Sequence, residues 1–319
     1  MNPPIIDIVV VDYNTGQLIR ECLESIKDHP PQLGRIGRVV VVDNASLNVT
    51  AKYTKSLELP LHMIRNEWNQ GFAAACNQGA AGSTADYLLF LNPDTRLCRN
   101  SLTKTISFME EMNSQNIGIL GIQLVDENGN ICLSCARFPT PGRFLSKLIG
   151  LDLLFPFFPP SHFMSKSDHK KSKEVDQVMG AFFLVRRELF EFLGGFDEQY
   201  FVYFEDVDFS LRAKKAGWTS YYLADVQAYH KGQSSSKQVK AERLFYSLRS
   251  RIQYGYKHFG WLSATALMVT TLLLEPLARL VLNVVHRSGK EISETLKGYL
   301  LLWNAFPKLL KLAYQKNKV

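Results

Sequence analysis

The chain has 319 residues, 46% apolar and 21% charged, which places it among globular proteins able to bury a full core, as one large domain or one domain with an appendage. Charge divides it unevenly: from Lys237 onward 14 Lys/Arg face 4 Asp/Glu, whereas the preceding residues carry 23 against 26. A near-neutral body with a basic tail points to an anionic partner, nucleic acid or an acidic membrane surface.

Five cysteines, Cys22, Cys76, Cys98, Cys132 and Cys135, are an odd number in a chain too large to need disulfide staples, and they fit a reducing cytosol. Cys132 and Cys135 form one Cys-x-x-Cys; without a second pair or nearby histidines it is weak evidence for zinc. Met1 to Pro4 lead straight into a strand-like run, so no secretory signal is expected.

In chain order, Ile5 to Val11 reads as a buried strand and Leu18, Ile19, Cys22, Leu23 and Ile26 as one face of a helix. Val39 to Val42 and His62 to Ile64 predict further strands, Phe72 to Ala81 a helix and Tyr87 to Leu91 another strand. The alternation implies a parallel sheet with crossover helices. Ser101 is predicted to cap a helix running to about Met112, and Asn128-Gly129 to turn a hairpin. The Pro/Phe cluster from Phe155 to Pro160 and the Lys-rich stretch from Ser161 to Glu174 read as a loop, either a lid or a solvated insertion.

Beyond Gln238 a basic helix to Phe259 is expected. Trp261 to Val285 has 14 uncharged residues before Glu275 and Pro276, short for a membrane span, and Tyr299 to Tyr314 is apolar with interspersed lysines. These segments read either as helices lying at an interface or as a helical pair packed on the body.

Open sheets of this kind bind ligands beyond the carboxyl ends of their strands. Polar residues stand there every time: Asp12, Tyr13 and Asn14, then Asp43 and Asn44, then Arg65 and Asn66, then Asn92, Pro93 and Asp94. Each could be a turn residue, but four in succession favour a polar ligand cleft. A second concentration lies between Gly194 and Trp218, where Glu205, Asp206 and Asp208 follow Tyr200, Phe201, Tyr203 and Phe204 and crowd the first turn of an amphipathic helix. Acids there can simply complement the helix dipole. Beside an aromatic wall a carboxylate can instead be raised toward a general base's range.

Val11-Asp12-Tyr13-Asn14, Val42-Asp43-Asn44-Ala45-Ser46, Asn69-Gln70-Gly71-Phe72 with Asn77, Leu91-Asn92-Pro93-Asp94, Gly194-Gly195-Phe196-Asp197-Glu198, Glu205-Asp206-Val207-Asp208 and His230-Lys231-Gly232 follow one another in an order that, over Ile5 to Ser235, resembles a family 2 glycosyltransferase of the rhamnosyltransferase-like kind used in bacterial surface polysaccharide assembly. The resemblance implies the α/β A-type glycosyltransferase fold, a Rossmann-like mixed sheet flanked by helices. The catalytic domain would span 1–236, with a nucleotide-binding half over about 1–100 and an acceptor half over about 101–236. A basic helical extension over 237–319 would follow, associating with an anionic membrane surface or packing on the body. It also implies an inverting transfer from a nucleotide sugar, dTDP-rhamnose first, to a glycan or lipid-linked glycan at the cytosolic face of a membrane.

By the same resemblance Asp206 is the catalytic base with Glu205 beside it, and Asp197, Asp208 and Tyr203 contact the acceptor. Asp12, Tyr13, Asn14, Asp43, Asn44, Arg65, Asn69, Gly71, Asn77 and Asn92 bind the nucleotide sugar. Asp94 and His230 hold a divalent cation, Mg²⁺ or Mn²⁺, that offsets charge developing on the leaving diphosphate. Gly194 and Gly195 are expected to turn tightly.

A dinucleotide-dependent oxidoreductase would need Gly-x-Gly-x-x-Gly after the first strand, where Gly16 stands alone, and no phosphate-binding Gly-x-x-x-x-Gly-Lys loop occurs. No nucleic-acid module is recognisable in the tail, so nucleic acid is not an expected partner. A catalytically silent sugar-binding or scaffold protein of the same fold is the remaining alternative.

Overall fold

The apolar runs of the first hundred residues form the strands expected of them in the computed structural model, which describes residues 3–47, 50–54, 57–111, 114–148, 164–232, 240–285 and 289–316. β1 (Ile5–Asp12), β2 (Arg35–Asp43), β3 (Leu61–Arg65) and β4 (Tyr87–Leu91) run parallel in the order β3-β2-β1-β4. Between them lie α1 (Gln17–Asp28), the short α2 (Ala51–Thr54) and α3 (Phe72–Ala80). Alternation along β1 feeds two apolar layers. Ile6, Ile8 and Val10 pack with Ile19, Cys22, Leu23 and Ile26 of α1, while Val9 and Val11 join Ala73 and Cys76 of α3. Gly79 lets α3 close on β1, since a Cβ there would stand 2.4 Å from Val9 Cγ1.

The chain continues through β5 (Thr95–Leu97), α4 (Ser101–Glu110), β6 (Ile117–Val125), β7 (Cys135–Ala136), α5 (Pro141–Leu148), β8 (Lys173–Val175), β9 (Gln177–Val178), β10 (Phe182–Arg186), α6 (Arg187–Phe192), α7 (Glu205–Lys215) and β11 (Thr219–His230). The sheet extends as β4-β10-β6-β11-β5, with β10 antiparallel to β4 and β6, and β11 parallel to β6 but antiparallel to β5. It is therefore mixed rather than parallel throughout. The α4 helix forms, but Ser101 does not cap it: the N-cap is Asn100, and the Ser101 hydroxyl accepts the Cys98 N–H at 2.9 Å and lies 2.6 Å from the Gln227 carbonyl. The turn at Asn128-Gly129 closes by the Gly129 N–H on the Asp126 carbonyl, and the hairpin beyond it is a single bridge, Val125 to Ile131.

Contacts divide the described chain into two compact units, one of residues 3–138, 164–198 and 205–232, the other of 139–148, 199–204 and 240–316. The second unit thus takes in two segments ahead of the tail. Its helices are α5, α8 (Lys240–His258), α9 (Trp261–Val269), α10 (Glu275–Val285), α11 (Gly289–Asn304) and α12 (Phe306–Lys316), with a π-helical turn at Thr270–Leu274 between α9 and α10. Leu248, Ile252, Tyr256, Ala264, Met268, Leu272, Tyr299, Leu302 and Leu309 form its core. Residues 199–204 belong here because Phe201 stacks on Tyr246 at 4.5 Å and Phe204 lies 5.4 Å from Tyr254. Among the described residues Trp261–Val281 is the one helical stretch long and apolar enough to cross a membrane.

Candidate active site

The strand register aligns the carboxyl ends: Asp12 pairs with Asp43 and Asp43 with Arg65, while Val10 pairs with Leu91 just ahead of Asn92. Most of the polar residues gathered there are committed to one another. Asp12 is 2% exposed; one carboxylate oxygen accepts the Thr15 N–H and hydroxyl, the other the Thr50 hydroxyl at 2.5 Å. Asn14, at φ +57°, donates its N–H to the Ser46 hydroxyl and accepts the Leu47 N–H, which ties the loops after β1 and β2 together. Asp43 accepts the Ser46 N–H at 2.9 Å, and its second oxygen lies 3.9 Å from Nε of the exposed Arg65. Tyr13 is exposed.

Asn44 and Asn69 were expected to touch the donor, and the structure gives them a framework role. The buried Asn44 amide donates to Asn69 Oδ1 at 2.8 Å and to the Gly71 carbonyl, and its oxygen accepts from Asn66 and from the Gln70 N–H. Asn69 Oδ1 also accepts the Gly71 N–H. Buried amides satisfied on all sides hold a loop in one shape. Here they fix residues 66–71, the entry to α3, with Gly71 at φ +91°.

Asn77, expected to contact the nucleotide sugar, clamps another loop in this structure. Its amide donates to the Phe196 carbonyl and Glu198 Oε1, both at 2.9 Å, and its oxygen accepts the Phe196 N–H at 2.9 Å. Gly194 and Gly195 turn tightly at φ +71° and +76° as expected, and a Cβ on Gly195 would meet Asn77 Oδ1 at 2.6 Å. Phe196 enters the core 4.9 Å from Phe90, so the loop carrying the half-buried Asp197 is anchored at both ends.

Asp94 and His230 are 136 residues apart in sequence and adjacent in space. Antiparallel pairing of β11 with β5 sets His230 against Thr95, the Lys231 N–H meets the Asp94 carbonyl, and His230 Nε2 stands 3.3 Å from Asp94 Oδ1. Both side chains are less than one-fifth exposed. A carboxylate and an imidazole converging in this way suit a divalent cation of mixed oxygen and nitrogen preference.

At α7 the three acids separate. Asp208 is fully buried and bound to Arg212 Nε at 2.7 Å, while the rest of that guanidinium donates to the Leu193 and Gly195 carbonyls. Asp208, expected to contact an acceptor, is thus engaged in a buried ion pair. Glu205 is buried with Oε2 lacking a hydrogen-bond partner, so burial first, and the Asp206 charge second, push its pKa well above the carboxylate range. Asp206 keeps part of its surface; Oδ2 accepts the Gly180 N–H at 3.0 Å and Oδ1 the Val207 N–H at 2.8 Å. Burial raises its pKa too, against those two donors. Tyr203 and Phe204, expected in a wall beside these acids, are grouped by their contacts with the second unit.

The neighbouring residue links this acid to the Asn92-Pro93-Asp94 turn. While Gly180 binds Asp206, the Ala181 carbonyl accepts the Asn92 N–H at 3.1 Å and the Thr95 hydroxyl at 3.3 Å. Asn92 itself enters through its backbone, which fixes the start of the Asn-Pro-Asp turn. Sequence reasoning missed Gly180 and Ala181, which have no chemistry-bearing side chain to mark them. It also missed His169, whose Nε2 accepts the Ser134 and Cys135 N–H groups at 2.9 and 3.1 Å while Nδ1 meets the Ser165 carbonyl. That satisfied imidazole pins the described end of the lysine-rich loop; residues 149–163 lie outside the described chain.

A mixed sheet with this order and with acids at its strand ends is a glycosyltransferase A fold, and solved structures agree. A mannosyltransferase from Pyrobaculum calidifontis, solved with GDP-mannose and Mn²⁺, superposes with a TM-score of 0.55 at 18% identity, covering 99% of this chain and 88% of its own. Staphylococcus aureus TarS 1–349 with UDP-GlcNAc gives 0.55 at 17% identity over 97% and 81%. The sequence model of Glycosyl transferase family 2 matches residues 7–194, and the chain belongs to that family and is a glycosyltransferase. Its curated relatives include the N-acetylglucosaminyl-diphospho-decaprenol L-rhamnosyltransferase of Mycobacterium tuberculosis, 25% identical over 81% of this chain and 86% of that one, and the rhamnosyltransferase WbbL of Escherichia coli, 27% identical over 53% and 61%.

Proposed function

We propose that the chain is an inverting, metal-dependent transferase that moves a sugar, rhamnose from dTDP-rhamnose in the first instance, to a glycan carried on a lipid at the cytosolic face of a membrane. The observation that carries the reading is the Gly180–Ala181 bridge, which holds Asp206 and the Asn92-Pro93-Asp94 turn on consecutive residues. The rhamnosyltransferase relatives support the sugar, and the decaprenol acceptor in the mycobacterial relative's name supports the lipid.

Asp206 takes the proton from the acceptor hydroxyl as its oxygen attacks the anomeric carbon, and the nucleoside diphosphate leaves from the opposite face, which inverts the centre. Burial raises the pKa of both acids, and the Gly180 and Val207 N–H groups counter it at Asp206, which supports Asp206 as the base of the pair. Asp197 is placed for acceptor contact on its anchored loop. Tyr13, Asp43, Arg65 and the backbone at Gly71 frame the nucleotide within the rigid rim. Asp94 and His230 would hold the cation, which would offset charge on the departing diphosphate. No group of three or more His, Cys, Asp and Glu gathers among the described residues, so a cation would draw its remaining ligands from the donor's phosphates.

A thermal-shift panel of nucleotide sugars with and without Mn²⁺ tests the donor, because a ligand that binds only the folded state stabilises it by mass action. A Mn²⁺-dependent rise with dTDP-rhamnose and none with UDP or GDP sugars is expected. Stabilisation without product from a labelled donor, across a panel of lipid-linked acceptors, would instead mark a silent sugar-binding protein.

A further inference from the structure

We propose that the outer face of α9 to α12 docks flat on an anionic lipid leaflet and that a cleft in this face takes one hydrocarbon chain of a lipid. This deepens the membrane reading above. Leu262, Val269, Leu273, Leu277, Val281 and Val284 are 44–76% exposed. Their spacing of three, four or seven residues sets them along one side of a continuous helical stretch. Leu296, Leu300 and Trp303 of α11 and Leu310 of α12 add exposed apolar surface. Lys308 and Lys311 are exposed on α12, which has no acid, while Glu275 is buried against Arg251 and Arg279. The charge complement of such a surface is an anionic headgroup layer.

Glu275 also decides orientation. Spanning a bilayer on Trp261–Val281 would carry its ion pairs into hydrocarbon and expose to lipid Ala264, Leu267, Met268 and Thr271, which are buried here. Lying flat keeps both intact. The cleft, about 160 Å³, is walled by Leu273, Pro276, Leu277, Leu280, Leu296 and Trp303. It sits beside the π-helical turn, where the Leu272 carbonyl accepts the Trp303 indole N–H at 3.2 Å. That bond satisfies the polar edge of the indole and leaves its apolar surface to the cleft.

The test is co-sedimentation of the full chain with vesicles of phosphatidylcholine alone or mixed with phosphatidylglycerol. Binding is expected to the mixed vesicles at low salt and to weaken on the order of tenfold in a Lys308→Glu, Lys311→Glu variant. A Leu273→Glu, Leu277→Glu variant with unchanged circular dichroism should lose binding. Chain-brominated phosphatidylglycerol should quench tryptophan emission less in Trp303→Phe. Unchanged binding in the leucine variant, a wild-type dimer that this variant converts to monomer, or wild-type protein resisting alkaline carbonate extraction would each overturn the proposal. Transfer to a water-soluble acceptor, measured in parallel, should be equal in wild type and leucine variant; its absence in both would count against the sugar-transfer reading and leave the sedimentation result standing.

Discussion

The carboxyl ends of β1 and β2 and the first turn of α7 both bury aspartates, and they use them in opposite ways. Asp12 and Asp43 sit among hydroxyl and amide donors from Thr15, Ser46 and Thr50, so their burial is offset by hydrogen bonds and serves to fix loops. Glu205 Oε2 has no donor, and burial raises the pKa of Glu205 and of Asp206, at Asp206 against the Gly180 and Val207 N–H groups. Asp208, three residues beyond Glu205, returns to the first pattern by taking Arg212 as partner. Among these acids Glu205 alone leaves a buried oxygen without a donor, and that separates it from the acids that hold the framework.

That contrast is broken most severely at Asp208. Asp208→Ala leaves the Arg212 guanidinium without its carboxylate and should cost about 3–5 kcal/mol in urea denaturation. Asp206→Asn keeps shape and removes basicity. Turnover of a labelled donor should fall roughly 10²-fold or more with donor binding preserved, and near-normal turnover would remove Asp206 from the mechanism. The smallest effect, and the sharpest on the comparison, concerns Glu205. A carboxyl whose folded pKa is raised binds its proton more tightly than in the unfolded chain, so its contribution to stability is full below the unfolded pKa and is lost as pH rises through the folded one. Glu205→Gln should therefore melt higher relative to wild type at pH 8 than at pH 5. An equal difference at both would show that Glu205 is ionised in the folded state.

Strands β1 to β4 were legible because short β-branched runs bounded by polar turns have few other solutions. The antiparallel insertion of β10 between β4 and β6 was not, since an apolar run carries no sign of direction. The same blindness hid how Asp94 meets His230, which rests on the register of β11 against β5. Asn44, Asn69 and Asn77 stood out in the sequence but their protein partners did not: asparagine serves a ligand or a neighbouring segment equally well, and the bonds to Gly71, Phe196 and Glu198 appear only in the fold. The Asp208–Arg212 pair, four residues apart on a helix, could have been read from spacing alone. The partners of the aromatics at 200–204 were not legible either: Phe201 packs with Tyr246 and Phe204 with Tyr254, both far along the chain.

The clamp of Asn77 on the loop around Phe196 ties together two stretches of chain more than a hundred positions apart, with no space left at Gly195 for a larger residue. A protein engineer who grafts this loop from a relative onto the scaffold must bring the residue at position 77 with it. The two cannot be exchanged as independent modules, and natural divergence of one is expected to leave a matching trace in the other.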